Sequence, residues 1–188
     1  MPEPRPWNLL RTRAEKDFRI FTAQTLDVTA PLDGAEYVRT VLRCPDWVNV
    51  IALTTEQRVV LVRQFRFGTW SNTLEIPGGM VDPEERDPQA AALRELEEET
   101  GYVPGAVEWL GTSLPNPAIQ TNRLHSYLAR DCRKVHDGHQ DGSEDIEVVL
   151  AEREAIGALV KRGEISHALV LAAFLFDALG PGALLSRR

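Results

Sequence analysis

The 24 residues from Gly79 to Tyr102, GMVDPEERDPQAAALRELEEETGY, constrain this chain more than any other stretch. They hold eight carboxylates: Asp82, Glu84, Glu85, Asp87, Glu95, Glu97, Glu98 and Glu99. The second half reads as a helix. Asp87 is a good N-cap and Pro88 suits the first helical position. The run Ala90-Ala91-Ala92-Leu93 favours helix, and Gly101 is a natural stop. At about 100° per residue, Glu95, Glu98 and Glu99 stand at i, i+3 and i+4 and share one face. Leu93 and Leu96 form an apolar stripe beside it, and Glu97 points elsewhere. Like charges stacked in this way weaken a helix by a few tenths of a kcal/mol per pair. A divalent cation removes that repulsion, and a hard ion such as Mg²⁺ prefers oxygen ligands. A Glu-rich helix on its own is usually a solvated face. Here it follows a β-like segment, Asn72 to Ile76, and a Pro77-Gly78-Gly79 turn, and Arg94 directly precedes the first glutamate of the cluster.

At 188 residues, one domain with a small N-terminal appendage is the expectation. With 43% hydrophobic and 26% charged residues the chain can bury a core. The net charge of −7 comes with no basic tract, which argues against a nucleic-acid partner. An anionic substrate is compatible with it if a metal screens the carboxylates. Cys44 and Cys132 are isolated, as in a reduced cytosolic protein. The first ten residues, MPEPRPWNLL, lack the apolar core of a signal peptide, and the longest apolar run, Ala168 to Phe176, is too short to span a bilayer. A cytoplasmic location is therefore expected.

Residues Met1 to Asn8 are Pro-rich and extended by expectation. Asp17 to Val28 reads as one strand with a bend and Ala35 to Arg43 as a second, joined by Pro31-Leu32-Asp33-Gly34 into a hairpin or meander. Val48 to Thr54 and Arg58 to Phe65 are β-branched, nearly continuous apolar runs, the pattern of central strands buried on both faces. Asn72 to Ile76 feeds the glycine turn. Further strands are expected over Val107 to Leu114, Arg123 to Ala129 and Ile146 to Leu150, with a polar loop over Lys134 to Asp145. Glu152 to Arg162 and Ile165 to Leu179 read as helices broken at Gly163. The order gives an α/β sandwich, helices on the faces of a mixed sheet. The expected division is a β-strand subdomain over residues 1–45 and a main domain over 46–188.

The strand, glycine turn and acidic helix resemble the Nudix box, G-x5-E-x7-R-E-U-x-E-E-x-G-U with U apolar. Arg94, Glu95, Leu96, Glu98, Glu99, Gly101 and Tyr102 match its second half. The first half departs: counted from Gly79, Glu85 takes the place of the first glutamate, but eight residues separate it from Arg94. One residue is inserted around Glu84-Glu85-Arg86, which puts the loop role of Glu85 in question and leaves the helical face untouched. The resemblance implies a Nudix-like αβα sandwich. It implies that Glu95, Glu98 and Glu99, with the Gly78 carbonyl, ligate Mg²⁺ (or Mn²⁺, since all-oxygen sites take both), and that Arg94 orients the glutamates. Such ions neutralise a pyrophosphate and activate water, so no nucleophilic side chain is needed, and neither cysteine sits in a nucleophile motif.

Outside the box, the chain is similar to the ADP-ribose and nucleoside-diphosphate-sugar pyrophosphatases. Leu61-Val62-Arg63-Gln64-Phe65-Arg66 resembles their LVRQYR strand, and Leu74-Glu75-Ile76-Pro77-Gly78-Gly79 their LELPAG, with Gly78 for Ala. Asn116-Pro117-Ala118 is near their SPG, and Gly142-Ser143-Glu144-Asp145-Ile146-Glu147 resembles a late acidic loop. By this resemblance Arg63, Arg66, Glu75 and Pro117 contact substrate and Glu144 is the general base or an extra ligand, alone or with Asp141, while Glu98 and Arg94 complete the catalytic set. His136 and His139 are alternatives as base. Arg63 and Arg66, three apart, face opposite ways in a regular strand, and only a bulge would join them into one phosphate clamp. Trp7, Phe18, Phe21, Trp47 and Trp70 are candidates to stack on a base. In the resembling enzymes N-terminal strands exchange across a two-fold axis, which implies a homodimer.

The activity this implies is metal-dependent hydrolysis of ADP-ribose or an ADP- or GDP-hexose to a nucleoside monophosphate and a sugar phosphate. Dinucleoside polyphosphates or coenzyme A are the alternatives within enzymes. A non-catalytic nucleotide-sugar sensor is the alternative outside them, but it would be expected to lack one of the three glutamates.

Overall fold

In the computed structural model, residues 3–139 and 145–180 are described. The two nearly continuous apolar runs become the middle of an eight-stranded sheet. These are β4 (Trp47–Thr54), buried along most of its length, and β5 (Arg58–Arg66), buried over Val59–Val62. Side chains alternate across a strand, so β4 feeds two cores. Val48, Val50 and Ala52 pack with Ala91, Ala92 and Leu96 of helix α1 (Pro88–Thr100). Ile51 and Leu53 pack with Val170, Ala173 and Phe176 of helix α3 (Ala168–Leu179), joined by Ile156 of the short helix α2 (Ile156–Lys161). Helices therefore cover both faces of the sheet.

The other strands are β6 (Ser71–Glu75), β7 (Gly78–Met80), β8 (Tyr102–Val103), β9 (Ala106–Ser113), β10 (Leu124–Lys134) and β11 (Glu147–Glu152). The order runs β11-β5-β4-β10-β8, with β6 beside β5, β7 beside β4 and β9 beside β10. The β10–β4 pair is parallel and the rest are antiparallel, so the sheet is mixed as expected. Gly163, at φ 76°, breaks the C-terminal helical region where expected. No helix among the described residues is long and apolar enough to cross a membrane.

Three antiparallel strands form a second sheet: β1 (Asn8–Asp17), β2 (Thr22–Thr29) and β3 (Glu36–Arg43), in that order. The strand expected over Asp17 to Val28 begins only at Thr22, because the chain turns at Phe18–Phe21 through Arg19 at φ 70°, and β1, which the sequence did not announce, precedes that turn. All ten residues of β1 are exposed, so no apolar alternation announces it. Its register is carried instead by charge: Arg11 and Arg13 both reach Asp27 of β2, at 2.7 and 2.8 Å. The chain divides into two compact units. One holds the residues up to Pro45 with Leu114–Asn122, and the other Asp46–Ser113 with the residues from Arg123 on. Within the first, the returning segment meets β3 through Leu42, whose N–H donates to the Ile119 carbonyl at 2.7 Å.

Candidate functional site

Helix α1 forms as its caps dictate. The Asp87 carboxylate accepts the Gln89 N–H at 3.0 Å, Pro88 opens the helix, and Gly101 closes it at φ 73° with its N–H on the Glu97 carbonyl. Leu96 is buried against the sheet, and the carboxylate face lies to its side: Glu99 is buried, Glu95 half-buried and Glu98 exposed. The Gly78 N–H donates to Glu99 Oε2 at 3.1 Å, which ties the glycine turn to the last turn of the helix. A Cβ on Gly79 would overlap the Glu95 carboxylate, and one on Gly78 would overlap the Val48 carbonyl. The glycine turn thus lies against the acidic face with no side chain between them, and a side chain at Gly79 would displace the Glu95 carboxylate.

Arg94 holds the cluster together. Its Nη1 lies 3.0 Å from Glu95 Oε1 and 2.9 Å from Glu98 Oε2. Its Nε and Nη2 donate to the two oxygens of Glu85 at 3.0 and 3.1 Å, and Nη2 also reaches the Met80 carbonyl at 3.3 Å. The Glu85 hydrogen bond, with the charge of Glu95 and the hydrogen bonds to Glu98 and Glu95, raises the Arg94 pKa further above its usual range against the opposing effect of burial. The same bond holds Glu85 below the usual carboxylate value. Glu85 thus fixes the loop to the helix despite the inserted residue. A tight turn absorbs the insertion: the Glu85 N–H donates to the Asp82 carbonyl at 2.9 Å, and the Asp82 N–H to the Glu85 carboxylate at 3.1 Å. Glu84 and Arg86 point to solvent there.

Among the described residues no three acidic, histidine or cysteine side chains already converge on one point as a cation cage. The positive charge between Glu95 and Glu98 is the Arg94 guanidinium. The donor set nevertheless fits a hard divalent ion: all-oxygen, from carboxylates on one helix face, beside a glycine turn that no side chain blocks. The cavities of about 340 and 390 Å³ on this unit border Glu97 and Arg63 respectively, and neither is lined by Glu95, Glu98 or Glu99.

Glu75 ends β6, three residues before Gly78. It is 2% exposed and accepts a two-pronged bond from Arg66 Nε and Nη2 at 2.9 and 2.8 Å. The Thr73 hydroxyl donates to it at 2.6 Å, and His167 Nδ1 lies 3.7 Å away. Burial works to raise the Glu75 pKa, but the bonds from Arg66 and Thr73 and the Arg66 charge outweigh it, so the net shift is downward. Arg63 goes elsewhere. The β5 registers with β6 and β11 are regular, without a bulge, and Arg63 Nη1 meets Glu147 Oε2 on the neighbouring strand at 2.8 Å. The structure does not bring the two arginines together as one clamp. Thr73 and His167 carried no sequence signal beyond polarity next to a strand and at the start of a helix. Pro117 belongs to the N-terminal unit, in a turn closed by the Ile119 and Gln120 N–H groups on the Asn116 carbonyl. Glu144 lies outside the described residues.

Neither cysteine is in a disulfide. Burial pushes the Cys132 thiol up to about 11 and raises Cys44 as well, so neither is a ready thiolate. Of the aromatic candidates, Trp7, Phe18 and Trp70 are exposed, while Phe21 and Trp47 are partly buried.

A family model described as NUDIX domain matches residues 45–174. The methanol dehydrogenase activator of Bacillus methanolicus is 39% identical over 116 residues, 62% of this chain and 62% of that protein. The ADP-ribose pyrophosphatase of Bacillus subtilis is 32% identical over 143 residues, 76% of each chain. The match thus spans about three-fifths of the length of the first relative and about three-quarters of the second. A crystal structure titled as an ADP compounds hydrolase superposes with a TM-score of 0.82 over 95% of each chain at 21% identity, a likeness of fold. With the family model covering most of its length and its acidic helix held against the glycine turn, this chain belongs to the Nudix family.

Proposed function

We propose that this chain hydrolyses the phosphoanhydride bond of a nucleoside-diphosphate sugar, ADP-ribose or an ADP- or GDP-hexose, with Mg²⁺ or Mn²⁺ as cofactor. Water adds to one phosphorus, the bridging oxygen leaves with the other, and a nucleoside monophosphate and a sugar phosphate are released. The observation that carries this reading is the carboxylate face of Glu95, Glu98 and Glu99, tied to the Gly78-Gly79 turn, which itself begins three residues after Glu75 of the Arg66–Glu75 pair. The name of the Bacillus subtilis relative supports the same substrate class.

Bound divalent ions would neutralise phosphate oxygens and make water a nucleophile near neutral pH. Glu95, Glu98 and Glu99, with the Gly78 carbonyl, would hold them. With those ions bound, Arg94 would retain its two-pronged bond to Glu85 and so would hold the loop in register with the helix. Arg66, oriented by buried Glu75, presents a guanidinium that matches phosphate oxygens. Pro117 and Arg63 are assigned to substrate by resemblance, and Glu144 or Glu98 takes the proton of the attacking water.

The test is a panel of diphosphate-linked sugars, dinucleoside polyphosphates and coenzyme A with Mg²⁺ or Mn²⁺, reading release of monophosphate. Turnover of ADP-ribose or a nucleotide hexose, abolished by chelation and restored by added metal, is expected. Silence on every diphosphate-linked sugar, or activity surviving exhaustive chelation, would overturn the reading.

A further inference from the structure

The last turn of α1 carries Glu98 and Glu99, and the final carbonyls of a helix have no partner within it. The segment Val135–His139, which leaves β10, supplies one of them with a partner and pairs with the cap residue Gly101. The His139 N–H donates to the carbonyl of Glu98 at 2.8 Å, and the Val135 N–H to the carbonyl of Gly101 at 2.8 Å. Between these contacts the chain reverses through Gly138 at φ 85°. A Cβ on Gly101 would overlap the His136 carbonyl, so helix end and loop are in close contact.

His136 closes this reversal. Its Nδ1 accepts the Gly138 N–H at 3.0 Å. That assignment leaves the ring proton of the neutral imidazole on Nε2, which faces Glu97 Oε1 at 3.3 Å. The ring of His139 stands edge-on to it, 4.4 Å between centroids. A side-chain acceptor for the amide two residues on is the device asparagine and aspartate use in turns. Without it the Gly138 N–H loses its partner, and the next amide, which caps Glu98, loses its fixed direction. Glu99 has a second anchor in the Gly78 N–H, whereas Glu98 is exposed and its carboxylate is held by Arg94, the cation that a metal ion would replace, which leaves the helix end to set it.

We infer that His136 is a positioning residue: by closing the 136–138 turn it directs the His139 N–H onto the Glu98 carbonyl and sets the Glu98 carboxylate for the cation. This rests on the metal site proposed above. Groups behind metal ligands commonly change affinity by about 10–100-fold when removed.

The experiment compares His136→Ala and His136→Asn with the parent protein, reading free Mn²⁺ by electron paramagnetic resonance, amide hydrogen exchange and melting temperature. The alanine variant is expected to bind Mn²⁺ about tenfold more weakly, with faster exchange at Gly101, Gly138 and His139 and an unchanged sheet. The asparagine variant, which restores the acceptor, is expected to recover most of the affinity. Parental Mn²⁺ affinity in the alanine variant would overturn the inference. So would an asparagine variant as weak as alanine, or exchange that rises throughout the sheet. A parent protein with no Mn²⁺ affinity would overturn the metal site itself, and this inference with it.

Discussion

Arg94 and Glu75 show how single residues carry the site. Arg94 bonds three carboxylates at once, from Glu85, Glu95 and Glu98, and so supplies in one side chain much of the charge that the helix face demands. A cation that takes over Glu95 and Glu98 leaves it the Glu85 half. Glu98→Gln and Glu99→Gln each remove one anionic ligand and keep shape. Both are expected to fold and to lose turnover by orders of magnitude. Near-parental rates in both, measured with saturating metal, would contradict the ligand assignment. Glu75 is the residue whose ionisation supports the fold. Its pKa is lowered in the folded state, so its contribution is complete above the ordinary glutamate value of about 4.3 and is lost as pH falls through the lower native value. Glu75→Gln is expected to cost about 1–3 kcal/mol at pH 7. The gap between the melting curves of parent and variant should close on acidification below that range. A gap that stays constant to pH 3 would refute the assignment.

Among elements, α1 and β1 stand at opposite ends of legibility. Every feature of α1 is local: the Asp87 cap, Pro88, the alanine run, the i, i+3, i+4 glutamates and Gly101, all within one stretch. Each acts across no more than four residues, so each can be read without a fold. β1 has no local signal. Its ten exposed residues form a strand because β2 offers hydrogen bonds and Asp27 offers an anion to Arg11 and Arg13. The Arg11 hydrogen bond, chiefly, holds Asp27 below the usual carboxylate range, so this anchor persists above about pH 3.9 and fails as pH falls through the lower native value. Asp27→Asn is therefore expected to speed amide exchange along β1 at neutral pH while β4 and β5 stay protected. Unchanged exchange in β1 would mean that backbone pairing alone holds it.

For the whole molecule, the N-terminal sheet leaves Trp7, Leu9, Leu10, Phe18 and Ile20 exposed. Exposed apolar side chains, where they gather, mark association surfaces. We infer that residues 1–45 form a separate β subdomain through which two copies associate. Light scattering is expected to give the mass of two chains, and replacing Leu9 and Leu10 with Ser should return it to one. A monomer in the parent protein would remove the inference. The carboxylate face, the central strands and the family were determined by the sequence alone, because they depend on periodicity and spacing along the chain. Tertiary structure decided what depends on residues far apart in sequence. The regular register of β5 gives Arg66 to Glu75 and Arg63 to Glu147. A turn takes up the extra residue at Glu84–Arg86, so that Glu85 still reaches Arg94. The loop after β10 caps the helix on which the carboxylates stand. A hydrogen bond forms where folding brings donor and acceptor to about 3 Å, and sequence spacing fixes that distance only within a single element.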